Sequence, residues 1–289
     1  MKKTRTAEEL RQLLKQMEQN NHRIPAGVDV NELINDMLHY IGHTDSELRD
    51  DLIYGTFVGW EDGDIISPEQ MRYMLDTALD EKHLFYGIGE NGTDSVFTRT
   101  FSSLLIAVAL YYHGEIPFLS NEDITNITKT ILRYVQMEKD VRGFVKEGGK
   151  GWAHSIAHAS DMLGNICYYT NHDDSISLLG AIKTMISNSD VVYTTGEDRR
   201  LADAFTRILY SAVIDREVVP YKELCDFVEN FPVKNEEEAP YILRTNLQNF
   251  MKSLLVEMTI AADDEDFAGE EGYEAVNKSI LDTIKKIFG

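Results

Sequence analysis

The chain has 289 residues and a formal net charge of −21, because 49 acidic residues outnumber 28 basic ones. This charge argues against nucleic acid and anionic membrane surfaces as partners, since both carry negative charge themselves. Hydrophobic residues make up 43% of the chain and there are only six prolines, which is typical of a globular protein with a large core. We expect a single domain over residues 1–289.

The first quarter of the chain contains well-marked helix starts. Three Ser or Thr residues each precede a Glu or Gln by three positions, the spacing of a capping box: Thr6 with Glu9, Thr44 with Glu47, and Ser67 with Gln70. Pro68 then occupies the favoured first helical position. Apolar residues recur every three or four positions after each start, so each helix is expected to pack on a neighbour.

Helical periodicity continues through the rest of the chain, and no convincing strand alternation appears. The further helices are predicted around 95–113, 121–138, 152–168, 174–188, 197–214, 220–230, 240–260 and 273–287. About ten to eleven short helices joined by short loops predict an all-α fold. We expect helical pairs stacked into a superhelix, as an α-solenoid or an α/α-toroid-like arrangement.

Three patterns bear on the cellular location. The longest strongly apolar stretch, 104–112, is about half of the ~20 residues that span a bilayer. The basic start MKKTRTAEEL runs into an amphipathic helix and lacks the apolar segment of a secretion signal. Cys167 and Cys225 stand apart with no CxxC motif, which suits buried thiols in a reducing compartment. We expect a cytoplasmic protein.

The segment 142–161, RGFVKEGGKGWAHSIAHASD, contains the main candidate site. His154, His158 and Asp161 have the spacing i, i+4 and i+7, which would place three proton-transfer or metal-binding groups along one helical face. We take these three residues, together with Glu197, as candidate catalytic groups. The alternative is structural, with buried histidines hydrogen-bonded to Asp161 and Glu197.

Histidines at i and i+4 can bind a divalent metal, so His154 and His158 are also candidate metal ligands. Ser155 stands where the zincin pattern has Glu, and the three groups of the face span about 10 Å of helix rise. A metal would therefore need ligands from elsewhere in the chain. The candidates for that role are Glu197, Asp198, Asp140 and His113.

The glycine-rich loop before the histidines predicts anion binding. Gly149 and Gly151, with Arg142 and Lys150 nearby, would place backbone N–H groups and positive charge at a helix N-terminus. The alternative is a flexible turn with solvated lysines. We expect Trp152 and Arg199 to line an adjoining pocket, although an aromatic residue at a helix start is often part of the core.

Several blocks of this sequence resemble a bacterial family known as domain of unknown function 2785. The resemblance rests on Arg142-Gly143, on Gly151-Trp152-Ala153-His154 with His158 and Asp161, on Gly196-Glu197-Asp198-Arg199 with Leu201 and Ala202, and on Arg244, Asn249, Phe250, Ser253 and Leu254. It implies an all-helical superhelix in bacteria, and it implies no activity, substrate or cofactor.

Two functions follow from these patterns. The first is an interaction or structural protein whose helical surface binds a protein or peptide partner, and we favour it because no complete catalytic constellation is visible. The alternative is a metal-assisted or acid–base hydrolase acting on a small anionic substrate at the face of His154, His158 and Asp161.

Overall fold

The computed structural model describes residues 4–61, 65–188, 190–214, 221–230 and 241–288. Helices dominate these residues, so the prediction of an all-α class is confirmed. The prediction that strands are absent is wrong at one place, where Phe144–Val145 and Gly151–Trp152 pair as a two-stranded antiparallel hairpin. The short strands escaped prediction because two residues are too few to show alternation.

The elements of the N-terminal part are α1 (Ala7–Glu18), α2 (Val30–His39), a π-helix (Glu47–Tyr54), α3 (Gly55–Val58), α4 (Pro68–Ala78) and α5 (Ser95–Glu115). The middle part contains α6 (Asn121–Met137), β1 (Phe144–Val145), a 3-10 turn (Glu147–Gly149), β2 (Gly151–Trp152), α7 (Ser155–Ile166) and a 3-10 turn (Cys167–Tyr169). The remaining elements are α8 (His172–Ile186), α9 (Glu197–Ile214), α10 (Tyr221–Glu229), α11 (Tyr241–Ala261), α12 (Glu265–Ala268) and α13 (Glu271–Phe288).

The chain divides into two compact units. The first unit comprises Met1–Asp123 and Met137–Met162, and the second comprises Ile124–Gln136 and Leu163–Gly289. Helices α6 and α7 each contribute residues to both units. The single domain expected over residues 1–289 stays a prediction.

Two of the three predicted capping boxes are present. Thr6 and Glu9 exchange side-chain and backbone hydrogen bonds at the start of α1, and Ser67 and Gln70 do the same at the start of α4. The prediction at Thr44 and Glu47 is wrong. There the Asp45 carboxylate accepts the backbone N–H of Leu48 at 2.9 Å, and the segment that follows is a π-helix.

Helix α5 is the central core helix of the first unit. By length and composition it could cross a membrane, but 83% of its most apolar window is buried inside the protein. Helices α3 and α4 and the π-helix all pack against it. Its apolar run is therefore explained by core packing.

The second unit is built around contacts of α9 with α8 and α11, and of α10 with α13. A buried amide joins one of its loops to a helix. The Asn246 side chain donates to the carbonyls of Asn188 and Val191, at 3.2 and 2.9 Å, and accepts the backbone N–H of Tyr193 at 2.8 Å. The loop therefore has an ordered anchor in α11.

Candidate functional site

The glycine-rich loop forms the turn of the β1–β2 hairpin. Phe144 lies opposite Trp152 and Val145 lies opposite Gly151. Gly148 and Gly149 in the turn have φ angles of 65° and 67°, a region that suits glycine. The expectation that this loop forms the N-terminus of a helix is wrong, because α7 begins only at Ser155, after β2.

A buried arginine from the π-helix holds the hairpin. The fully buried Arg49 side chain donates to the carbonyls of Lys150 at 2.6 Å and His43 at 2.7 Å. Its guanidinium lies over the rings of Phe97 and Phe101, with centroid distances of 4.3 and 4.6 Å. The hairpin is thus fixed to the core by a cation in contact with both carbonyls and aromatic rings.

Asp50 accompanies this arginine. Its carboxylate lies 2.7 Å from the Arg49 Nε. Burial raises the pKa of Asp50 to about 6, while the Arg49 charge and a hydrogen bond with the Trp152 backbone act in the opposite direction. Burial also lowers the pKa of Arg49. The two groups thus share one desolvated site beneath the hairpin.

Gly151 allows the close approach of the hairpin to these groups. A Cβ at this position would lie 2.7 Å from the Ser46 Cβ and 3.3 Å from an Arg49 nitrogen, and its φ angle is 77°. Both the space and the backbone conformation therefore require glycine. The sequence interpretation of Gly151 as part of an anion-binding loop did not include this packing role.

The two histidines do not share a helix. His154 lies just outside α7, with a φ angle of 55°, and its carbonyl accepts the backbone N–H of His158 at 3.0 Å. Of the predicted face, only His158 and Asp161 belong to α7. The expected alignment of three groups along one helical face is therefore wrong for His154.

His158 is buried against α5. Its Nδ1 lies 3.2 Å from the carbonyl oxygen of Thr100, and its ring meets Phe101 edge-on at 5.4 Å. A carbonyl oxygen only accepts hydrogen bonds, so Nδ1 carries the proton. This contact supports a structural role for His158. The expected hydrogen bonds to Asp161 and Glu197 stay predictions.

An aromatic stack covers the outer side of the hairpin. The His154 ring lies on Trp152 at a centroid distance of 4.7 Å and an interplanar angle of 23°, and Phe144 meets Trp152 edge-on at 4.8 Å. Phe144 remains 47% exposed and Trp152 38% exposed. We call these two residues the aromatic face. This exposure argues against the alternative that Trp152 belongs to the core.

Both cations of the predicted anion site face carboxylates. Arg142 binds the buried Asp140 through its Nε and a terminal nitrogen, at 2.8 and 2.6 Å. The Lys150 ammonium lies 2.7 and 2.9 Å from the two oxygens of Asp94. An anion would have to compete with these internal carboxylates. Anion binding by Arg142, Lys150, Gly149 and Gly151 stays a prediction.

Glu197 and Arg199 belong to the second unit. The buried Glu197 accepts the backbone N–H of Thr195 at 2.9 Å, and Arg199 pairs with Glu257 at 3.2 Å. These contacts give both residues structural roles at the start of α9. The catalytic role proposed for Glu197 and the pocket role proposed for Arg199 stay predictions.

The structure bears on the predicted metal site through the grouping of side chains that could bind an ion. Among them, no group of three His, Cys, Asp or Glu side chains is gathered for one ion. The rings of His154 and His158 lie 5.6 Å apart between centroids and are inclined at 68°. A metal at these two histidines stays a prediction, and we derive no chemistry from it.

Sequence reasoning missed the buried charges around the hairpin and α5. Besides Arg49, the fully buried Arg99 binds both oxygens of Glu138, at 2.6 and 2.9 Å. The sequence does show a charged residue, Arg99, inside the otherwise apolar helix α5. Such a residue requires a buried partner, so this pattern could have predicted a buried ion pair. The identity of that partner depends on the tertiary structure.

The family model described as "Protein of unknown function (DUF2785)" matches residues 84–256. The chain belongs to this family. No curated protein and no solved structure matches the chain. The match in this member of the family includes the hairpin, α7 and the start of α9, but it begins after Arg49 and Asp50. The signature expected around Gly151 and His158 stays a prediction.

Proposed function

We propose that this protein is an interaction module and that its aromatic face binds a basic segment of a protein or peptide partner. The observation that carries the proposal is the exposed pair Phe144 and Trp152 on an anchored hairpin. Tryptophan and tyrosine are enriched among the residues that dominate binding energy, and Trp is the best ring for a cationic side chain.

The anchoring of the hairpin supports this role. Arg49 binds the backbone on both sides of Gly151, and the Ser155 hydroxyl donates to the carbonyl of Asp140 at 2.6 Å. An aromatic pair that is already ordered loses little conformational entropy on binding. A partner can therefore use it as a preformed contact.

The charges of the chain support a basic partner. The net charge of −21 attracts cations over a distance comparable to the Debye length. Three cations lie close to the aromatic face in sequence: Arg142 and Lys150, which are paired with carboxylates, and the exposed Lys146. The exposed Glu147 in the hairpin turn adds a negative charge. The charge of Glu147 offsets that of Lys146, so a lysine or arginine side chain of the partner would meet little net positive charge there.

Tryptophan fluorescence tests the proposal. The chain has two tryptophans, and Trp60 is fully buried, so acrylamide quenching of the folded protein reports mainly on Trp152. A peptide of alternating lysine and glycine should protect Trp152 from acrylamide, and a matching glutamate peptide should not. Added salt should weaken the protection.

Variants test the same contact by calorimetry. Phe144→Ala and Trp152→Ala should each weaken binding of the lysine peptide about five- to thirtyfold, the equivalent of about 1–2 kcal/mol. The matched control is Tyr111→Ala, because Tyr111 is 45% exposed on α5. Equal binding by Trp152→Ala and Tyr111→Ala would show that the proposal is wrong.

We also propose that the protein acts in the bacterial cytoplasm, without nucleic acid or membrane partners. The resemblance to a bacterial family, the acidic charge and the two free cysteines support this setting. Burial raises the pKa of Cys167 to about 12, which keeps this thiol unreactive. The hydrolase alternative at His154, His158 and Asp161 stays a prediction that no described contact favours.

A further inference from the structure

A groove separate from the aromatic face opens among α2, α4 and the loops that follow them. Its volume is about 710 Å³, and both polar and aromatic side chains line it. Three of the eight histidines of the chain are among the lining residues: His39, His43 and His83. Most of this lining precedes residue 84, where the family match begins.

The hydrogen bond of His43 determines the tautomer of its neutral ring. His43 lies four residues after His39, the last residue of α2, and its Nδ1 accepts the backbone N–H of Asp45 at 3.1 Å. An accepting Nδ1 carries no proton, so the proton of the neutral ring is on Nε2. His43 therefore offers a hydrogen-bond donor at Nε2.

His83 has the opposite arrangement. Its Nδ1 lies 2.8 Å from an Asp80 carboxylate oxygen, so Nδ1 carries the proton in this contact. The Nε2 of neutral His83 is then a hydrogen-bond acceptor. One groove thus combines an imidazole donor from His43 with an imidazole acceptor from His83.

Exposed aromatic rings and a cation complete the groove. Tyr73 is 43% exposed and Tyr86 is 51% exposed, although large aromatic side chains are usually buried. The Tyr73 hydroxyl donates to the Asn35 side chain at 2.5 Å, which leaves its oxygen as an acceptor. Lys82 adds an exposed positive charge.

The wall of the groove is closely packed at Gly42. A Cβ at this position would lie 1.9 Å from the Thr98 Oγ1 and 2.8 Å from the Thr98 Cα, so the backbone lies directly against α5. Any larger residue would displace α5 or the loop. The groove is therefore shaped by core packing and does not depend on surface side chains alone.

We propose that this groove binds a planar heteroaromatic compound that carries an anionic group, as a nucleoside monophosphate does. The tyrosine rings offer stacking surfaces, and His43 and His83 offer the donor and acceptor that the edge of a heteroaromatic ring requires. Lys82 pairs with the anionic group. The site is independent of the aromatic face and of its basic partner.

Calorimetry with three phosphate-bearing probes tests the proposal: adenosine monophosphate, uridine monophosphate and flavin mononucleotide. At least one should bind the intact chain with defined stoichiometry. Inorganic phosphate alone should bind much more weakly, because it lacks the ring. Absence of binding by all three probes, or equal binding of inorganic phosphate, would overturn the proposal.

Three variants locate the bound probe. Tyr86→Ala should weaken binding of both the tightest probe and its phosphate-free form about tenfold, because both stack. Lys82→Ala should weaken only the phosphate form, about fivefold. His83→Leu should weaken both, since the acceptor is lost. Tyr86 and Lys82 are exposed, so their replacement should leave the fold intact, and thermal melting checks each protein.

Matched controls separate the groove from the rest of the surface. Tyr111→Ala removes a tyrosine of similar exposure, and Lys139→Ala removes an exposed lysine of the same unit. Both should bind the probe as the unchanged protein does. If Tyr86→Ala and Lys82→Ala match these controls, the probe binds elsewhere and the proposal fails.

Discussion

One pair of histidines four residues apart follows the hairpin and another lines the groove, and in each pair a helix boundary separates the two. His154 precedes α7 and His158 lies within it, whereas His39 ends α2 and His43 follows it. His158 is buried against Phe101, while His39 is exposed at the groove. Identical spacing therefore produces a packed contact in one region and an open groove surface in the other.

The difference shows that the contacts of the imidazole rings depend on the tertiary structure around each pair and not on its spacing. Next to the hairpin, the His154 ring stacks on Trp152, and the His158 Nδ1 donates to the Thr100 carbonyl. At the groove, His43 and His83 use one ring nitrogen each in local hydrogen bonds.

The largest expected effect is at the anchor of the hairpin. Arg49→Met should lower the free energy of unfolding by about 3–5 kcal/mol, because the carbonyls of Lys150 and His43 and the Asp50 carboxylate lose a buried partner. Chemical denaturation measures this change. The control Arg72→Met removes a half-exposed arginine and should cost no more than about 1 kcal/mol. Similar costs for the two variants would contradict the account.

The next effect depends on pH. The pKa of Asp50 rises from 3.8 to about 6 on folding, so the folded state favours the protonated form. The associated stability is present below about pH 4 and is lost as the pH rises through about 6. Relative to Asp50→Asn, the free energy of unfolding of the unchanged protein should fall by about 3 kcal/mol between these limits.

Denaturation of both proteins at a series of pH values measures that difference. The exposed neighbour Asp51 provides the control, because Asp51→Asn removes the same charge without burial. A difference between the unchanged protein and Asp50→Asn that stays constant with pH would show that Asp50 ionises normally in the folded state.

A smaller effect is expected at the wall of the groove. Gly42→Ala should cost about 1–3 kcal/mol, because its Cβ would overlap Thr98. The control is Gly180→Ala on the exposed side of α8, where a Cβ meets nothing within 4 Å and should stabilise the protein by about 0.5–1 kcal/mol. Thermal or chemical denaturation of both variants should therefore give opposite signs.

The smallest effects compare the two histidine pairs directly. His158→Leu should cost about 1–2 kcal/mol, because the hydrogen bond with the Thr100 carbonyl is lost. His39→Leu should change stability by less than about 0.5 kcal/mol, since His39 is exposed. Equal losses of stability for the two variants would show that His158 is no more tightly packed than His39.

Local signals predicted much of the secondary structure. Thr6 and Ser67 cap the helices that their spacing indicates, and the helix predicted around 95–113 is present as α5. The capping box at Thr44 fails because Asp45 supplies the carboxylate instead. Side chains next to each other in sequence compete for the same backbone donors, and spacing alone does not decide between them.

The candidate site was less predictable. The positions of Trp152 and His154 depend on a hairpin with only two residues in each strand, and that hairpin depends on Arg49, about one hundred residues earlier in the chain. Such long-range contacts leave no periodic signal. The same limit hid the groove, because the tertiary structure brings His43 and His83 to the lining of one groove.

The most direct test of the contrast between the two regions is an NMR titration of protein labelled at histidine Cε1, with the tightest-binding nucleotide probe. Histidine variants assign the signals. We predict that the signals of His39, His43 and His83 shift with saturation, while that of His158 stays in place. Shifts at His154 and His158 with no change at the three groove histidines would contradict the account.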